Sequence, residues 1–197
     1  MATKVSSKHP SSTVFNDNPP PTKGCWRWHS AYHEAAHAVI AYHFGWWVNH
    51  EDVEIDDRQY CGLRRRVLDD TEQAAVCVSL AGWGAEMRLA PDLATSKSDD
   101  DLIFWLRDVR RGNPDESDDA DVFQRLMQTR PNASNEDLLA VYRSYEAETA
   151  TLLSRADVWE SIERVAHALL ESGKLSGEQV EVLLVAGVKD GAKVAVW

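Results

Sequence analysis

The feature that most constrains this chain is the segment His33-Glu34-Ala35-Ala36-His37. Residues four apart lie one turn apart on the same face of an α-helix, so His33 and His37 can both reach one metal ion. Two imidazoles at this spacing are typical ligands of Zn²⁺. Glu34 follows about 100° further round the helix. A carboxylate there can take a proton from water beside the metal and return it to a leaving group. The segment predicts a zinc site with Glu34 as catalytic base.

Composition and charge limit the class of protein. The 197 residues are 44% hydrophobic and include eight tryptophans, which is enough for one domain with a sizeable core. The formal net charge of −11 argues against nucleic acid as a partner. No apolar run approaches the roughly 18 residues of a membrane span, and the N-terminus lacks the apolar stretch of an export signal. Cys25, Cys61 and Cys77 form no C-x-x-C pair. We therefore expect reduced thiols in a cytoplasmic protein.

Patterning along the chain predicts a mostly α (α+β) domain between two tails. Residues 1–24 are rich in Ser and Pro and are expected to be flexible, residues 25–187 form the domain, and residues 188–197 form a C-terminal tail. Helix start and stop signals predict helices at 30–45 with Ser30 as N-cap, at 70–90, from the 99–101 acidic cluster onward, at 136–154 and at 157–171. A capping box of Ser176 and Gln179 predicts a final helix at 176–184.

Two further segments are predicted from their alternation and polarity. Residues 53–56 and 62–68 alternate as a pair of strands does. Residues 110–135 are polar and acidic, with one short helical stretch at 121–128, and are predicted to form a flap or insertion.

The third metal ligand is left open by these residues alone. Catalytic zinc usually takes three protein ligands and a water. An aspartate of the cluster Asp99–Asp101 is chemically adequate, although such a cluster also caps a helix. Glu86 is a further candidate, with a buried or capping role favoured for it. His43 stands where metzincin proteases place their third ligand, but Ile40 occupies their glycine turn, and a continuing helix would carry His43 away from His37.

Four segments, in this order, resemble the zinc peptidase domain of the FtsH-type AAA+ proteases. They are Tyr32 to Ala38, the small-residue stretch Leu80 to Glu86, the Asp-Leu element Ser98 to Leu102, and the closing helix-turn-helix Ala166 to Val180. The resemblance implies a helical domain with a small β element near the HExxH helix. It implies His33 and His37 as zinc ligands and Glu34 as base. It places the third ligand at Asp101, with Asp100 or Asp99 as alternatives.

The chain also departs from that family. Ala36 stands where the family usually has Gly, and the sequence contains no phosphate-binding loop, ATPase module or membrane anchor. The first reading is a stand-alone, ATP-independent zinc endopeptidase that hydrolyses unfolded or flexible polypeptides. The sequence is compatible with a homo-oligomer or with a separate ATPase partner. The alternative is a non-catalytic or partner-dependent zinc-binding regulatory module with a peptidase fold.

Overall fold

The computed structural model describes residues 26–55, 60–64, 71–91, 97–114 and 117–186. These residues form seven helices and three short strands: α1 (Trp26–His43), β1 (Trp47–Glu54), β2 (Tyr60–Arg64), α2 (Glu72–Leu89), α3 (Asp99–Arg110), α4 (Asp118–Thr129), α5 (Asn135–Ser154), α6 (Ala156–Ser172), β3 (Lys174–Leu175) and α7 (Gly177–Ala186). The predicted mostly α fold is confirmed. The tails predicted at 1–24 and 188–197 lie outside the described residues.

Helix α1 begins earlier than predicted. It starts at Trp26, and Ser30 is not its N-cap, because the Ser30 hydroxyl lies inside the helix and donates to the Trp26 carbonyl at 3.0 Å. The helix continues without a break through the fully buried Ile40 to His43. It is followed by Gly45, whose φ of 75° lies in the left-handed region that glycine adopts readily. The predicted end of the helix is therefore confirmed.

The three strands form one antiparallel sheet in the order β2–β1–β3. Val53 of β1 pairs with Cys61 on one side and with Leu175 on the other. The predicted β element near α1 is thus present, and β1 packs against both α1 and α7. Residues 56 and 65–68 of the two predicted strands lie outside the described residues. Strand β3 was not predicted, because two residues carry too little alternation to indicate a strand.

Buried side chains form two hydrophobic cores that share α2. The first core joins α1, β1, α6 and α7 to one face of α2; its largest fully buried members include Ile40, Val53, Ile55, Ile162 and Leu169. The second core joins α3, α4 and the first half of α5 to the opposite face of α2; its members include Val76, Leu80, Leu102, Leu106, Phe123, Leu126, Leu138 and Tyr142. Helix α2 is therefore the wall between the two cores.

The segment predicted as an acidic flap contains α4, a helix of the second core. Phe123 and Leu126 are fully buried, and the Phe123 ring stacks on Tyr142 with centroids 5.2 Å apart. The Ser117 hydroxyl caps the helix by accepting from the Ala120 N–H at 3.3 Å. The exposed face carries polar residues such as Asp121 and Gln128, whereas the buried face is mainly apolar. The part of the flap segment that α4 occupies is thus packed into the domain.

Candidate metal centre

His33 and His37 lie one above the other on α1, as their spacing predicts. Their ring centroids are 4.7 Å apart, with the planes inclined by 72°. Nδ1 of His37 is 2.7 Å from the Val78 carbonyl oxygen, and Nδ1 of His33 is 2.6 Å from Glu86 Oε1. Carbonyl and carboxylate oxygens accept hydrogen bonds, so both Nδ1 atoms donate. Each Nε2 is then the atom that can face a metal.

Asp118, the first residue of α4, is the carboxylate that faces the two imidazoles. Its Oδ2 lies 3.2 Å from Nε2 of His33 and 3.4 Å from Nε2 of His37. Ligand atoms around a tetrahedral zinc ion with bonds of about 2.0–2.1 Å are about 3.3 Å apart. Among the described residues, these three side chains form the group whose ligand atoms all lie within 4.8 Å of one another. The donor set can therefore hold a metal ion, and its spacing is compatible with tetrahedral coordination.

The carboxylate that faces the two histidines is not the one that the resemblance implied as the third ligand. Asp101 lies in the first turn of α3, where its N–H donates to Ser98 Oγ at 3.2 Å and its carboxylate accepts from the same hydroxyl at 2.6 Å. Asp99 pairs with Arg143 at 2.7 Å, and Asp100 is exposed. None of the three belongs to the group that faces the histidines. Ser98 caps α3, and the three aspartates occupy its first turn, where negative charges suit the helix dipole.

A second copy of the same pattern in the sequence was overlooked. Ser98-Asp99-Asp100 opens α3, and Ser117-Asp118-Asp119 opens α4 nineteen positions later. Both serines are N-caps. Considering the two copies together would have made Asp118 a candidate equal to Asp101. Choosing between them requires knowing which helix N-terminus lies against the two histidines.

The charges around the centre favour a cation. Burial alone would lower the pKa of His33, but its hydrogen bonds with Asp118 and Glu86 outweigh burial and raise the pKa to about 10. Burial alone would raise the pKa of Asp118, but the hydrogen bonds from His33 and His37 outweigh it and hold the pKa well below its usual range. The negative field that holds a proton on His33 also favours a divalent cation between these groups.

Glu34, the predicted base, is only 5% exposed. Burial raises the pKa of its carboxyl, and the neighbouring His37 and His33 act in the opposite direction. A carboxylate in such surroundings is suited to take up a proton during a reaction. The sequence made Glu86 a candidate ligand, with a buried or capping role favoured. Its carboxylate instead contacts Nδ1 of His33, on the side of the ring away from Nε2. It therefore occupies the place of a residue that orients a metal ligand.

Gly82 lets α2 approach the His33 ring. A Cβ at this position would lie 2.5 Å from Nε2 of His33 and 2.6 Å from two of its ring carbons. Gly84 has a similar role on another face of α2, where a Cβ would lie 2.6 Å from Cδ1 of Leu153. The small residues of the Leu80–Glu86 stretch thus make room for a ligand on one side and for α5 on the other.

His43 takes no part in the centre. It is exposed at the end of α1 and lies outside the group of ligand atoms. Because α1 does not break at Ile40, the chain does not turn back as a metzincin-like arrangement requires.

Comparisons with known proteins do not indicate a function for this chain. No protein-family model matches the sequence, and no curated protein matches it either. Of the helices that the structure describes, none is both long enough and apolar enough to cross a membrane. The chemistry of His33, His37, Asp118 and Glu34 is therefore the basis for a functional assignment.

Proposed function

We propose that this chain is a zinc-dependent peptidase in which Glu34 is the catalytic base. The observation that carries the proposal is the pair of distances from Asp118 Oδ2 to the two Nε2 atoms, 3.2 and 3.4 Å, which match the edge of a zinc tetrahedron. When bound, zinc supplies a Lewis acid that polarises a peptide carbonyl and makes water more acidic.

The residues of the chain have separate tasks in this reaction. His33, His37 and Asp118 hold the metal, while Glu86 and the Val78 carbonyl keep the two imidazoles in orientation. Glu34 accepts the proton of the attacking water and then gives it to the departing amine. Because Glu34 is buried, bulk water does not compete for its proton.

We propose unfolded or flexible polypeptides as substrates, hydrolysed without ATP. The side chains of His33 and Asp118 are 24% and 36% exposed, so the centre is open to solvent on the side of α4. An extended chain can reach such an opening, whereas a folded domain presents few accessible peptide bonds. The sequence contains no G-x-x-x-x-G-K-[ST] loop to cradle a nucleotide.

Cleavage of casein without ATP tests this proposal. We expect the wild type to bind about one zinc ion per chain and to cleave casein. We expect Glu34→Gln to bind zinc equally but to cleave at least ~100-fold more slowly, since general acid–base catalysis is worth about 10²–10⁴-fold. Glu160→Gln, an exposed change of the same chemistry, is the matched control and should cleave like the wild type.

Two results would contradict the proposal. Equal cleavage by the wild type and Glu34→Gln would remove Glu34 from the mechanism. Bound zinc without cleavage by either protein would favour the alternative, a non-catalytic or partner-dependent zinc-binding module.

A further inference from the structure

The residue next to the aspartate that faces the histidines is buried and held on both of its oxygens. Asp119 is only 5% exposed. The Tyr142 hydroxyl donates to Oδ1 at 2.7 Å, and the Lys97 ammonium pairs with Oδ2. A carboxylate withdrawn from water needs such partners to remain charged. Burial, together with the charge of Asp119, raises the pKa of Tyr142 well above its usual range, so the phenol stays protonated as a donor.

Lys97 is itself fixed by three helices. Its Nζ lies 4.7 Å from the ring centroid of Trp83 on α2 and 5.7 Å from that of Trp105 on α3. Its backbone carbonyl accepts a hydrogen bond from Arg143 of α5 at 2.6 Å. Cation–π contacts and an ion pair together leave the ammonium little freedom. Asp119 is therefore tied to a fixed point of the second core.

We propose that Asp119 is a positioning residue for the metal centre: held by Lys97 and Tyr142, it sets the rotation of α4 about its axis, so that Asp118 faces His33 and His37. Consecutive residues of a helix point about 100° apart. Anchoring Asp119 in the second core therefore turns Asp118 toward α1. This inference rests on the zinc site of the proposed function.

The need for such an anchor follows from the geometry of a helix. Side-chain tips lie about 5–6 Å from the helix axis, so a rotation of α4 by about 20° would move the Asp118 carboxylate by about 2 Å. Metal–ligand distances tolerate only about 0.2 Å. The N-cap at Ser117 satisfies the backbone N–H of Ala120 within α4. The Asp119 contacts join α4 to Tyr142 of α5 and to Lys97, two residues before α3.

Two conservative variants test the proposal without removing a proposed ligand. Asp119→Asn keeps an acceptor for Tyr142 but loses the ion pair with Lys97. Tyr142→Phe keeps the ring stack on Phe123 but loses the hydroxyl. We expect each to lower the zinc affinity, measured by chelator competition, at least ~10-fold. We also expect the visible absorption of the Co²⁺-substituted protein to change, because that spectrum reports the ligand geometry.

Leu126→Ala is the control for general loosening of the second core. Leu126 is fully buried two turns further along α4 and does not contact Asp119 through a polar group. Thermal unfolding in a chelator should show that this variant is destabilised at least as much as Tyr142→Phe. Its zinc affinity and its Co²⁺ spectrum should nevertheless remain close to those of the wild type.

Unchanged zinc affinity and Co²⁺ spectra in Asp119→Asn and Tyr142→Phe would overturn the proposal, as would an equal loss of affinity in Leu126→Ala. Zinc binding by the wild type without casein cleavage would remove the peptidase function, and the affinities would still decide the role of Asp119. Failure of the wild type to bind zinc would overturn both.

Discussion

The two cores contribute to the metal centre in different ways. The first core carries His33, His37 and Glu34 on the single helix α1, where five consecutive positions fix their relative placement. The second core contributes one carboxylate, Asp118, at the start of α4. Its place depends on contacts that α4 makes with Lys97 and Tyr142. One half of the centre is thus set by helical spacing and the other half by tertiary packing.

The two cores meet at helix α2, which lies next to the candidate metal centre. Helix α2 sends Val78 and Ala81 into the first core and Val76 and Leu80 into the second. Gly82 of the same helix lies against the His33 ring. A metal held by His33, His37 and Asp118 would therefore bridge the two cores across α2.

The largest expected effect is a difference in zinc affinity between substitutions in the two aspartate clusters. Asp118→Asn should weaken zinc binding by more than the ~100-fold typical of losing an orienting partner, because it removes a ligand. Asp101→Asn should leave zinc affinity unchanged, since within the described part of the chain that carboxylate accepts a hydrogen bond from Ser98 and does not face the histidines. Zinc titration against a chelator measures both. If Asp101→Asn weakened zinc binding more than Asp118→Asn did, Asp101 at the start of α3 would be the third ligand.

The close approach of α2 to α1 gives the next effect. Gly82→Ala should lower zinc affinity by about 100-fold, because the added Cβ must push the His33 ring out of place. Gly84→Ala is the matched control: its Cβ meets the tip of Leu153, a side chain that can change rotamer. This control should lose some stability and keep its zinc. Equal zinc affinity in the two variants would contradict the tight packing on His33.

A smaller effect on zinc affinity is expected from Glu86, the hydrogen-bond partner of His33. Glu86→Gln should lower zinc affinity by about 10-fold, at the low end for such partners, because the amide oxygen can still accept from Nδ1 while the negative charge is lost. Glu160→Gln, on the exposed face of α6, is the control. A loss as large as that of Asp118→Asn would instead indicate that Glu86 binds the metal directly.

Features that depend on local contacts were mostly, but not always, predictable from the sequence. The histidine pair and Glu34 follow from helical periodicity. The capping box at the start of α7 was predicted from Ser176 and Gln179 and is present, with Gln179 N–H donating to Ser176 Oγ at 3.3 Å. The N-terminus of α1 was misplaced, because Trp26 and its neighbours carry no capping signal while Ser30 does. Each of these outcomes depends on residues at most four positions apart.

The carboxylate that faces the two histidines could not be predicted in that way. Both Ser-Asp-Asp segments carry the same capping chemistry, and the resemblance favoured the first. What distinguishes Asp118 is the burial of its neighbour Asp119, whose partners Lys97 and Tyr142 lie 22 and 23 positions away. Acidic residues in the first turn of a helix are usually solvated. No local pattern indicates that one of them turns inward.

The smallest effect is expected from a comparison of the contacts at the two ends of α4. Asp119 anchors the N-terminal end, and the C-terminal end is held by Glu72 of α2, whose carboxylate accepts from Thr129, Arg130 and the Tyr145 hydroxyl. Burial alone would raise the pKa of Glu72, but these partners outweigh it and lower the pKa. A lowered pKa contributes stability that is present above the unfolded pKa of about 4.3 and is lost as the pH falls through the folded value.

Glu72→Gln should therefore lower the free energy of unfolding by about 1 kcal/mol at pH 7, because the ion pair with the partly exposed Arg130 is screened by solvent. The difference from the wild type should shrink below pH 4, as urea unfolding in a chelator can measure. Zinc affinity at pH 7 should stay close to that of the wild type, because the Asp119 contacts still set the rotation of α4. If zinc binding fell as far as in Asp119→Asn, the whole helix rather than its N-terminal anchor would position Asp118, and the two ends of α4 would be equivalent.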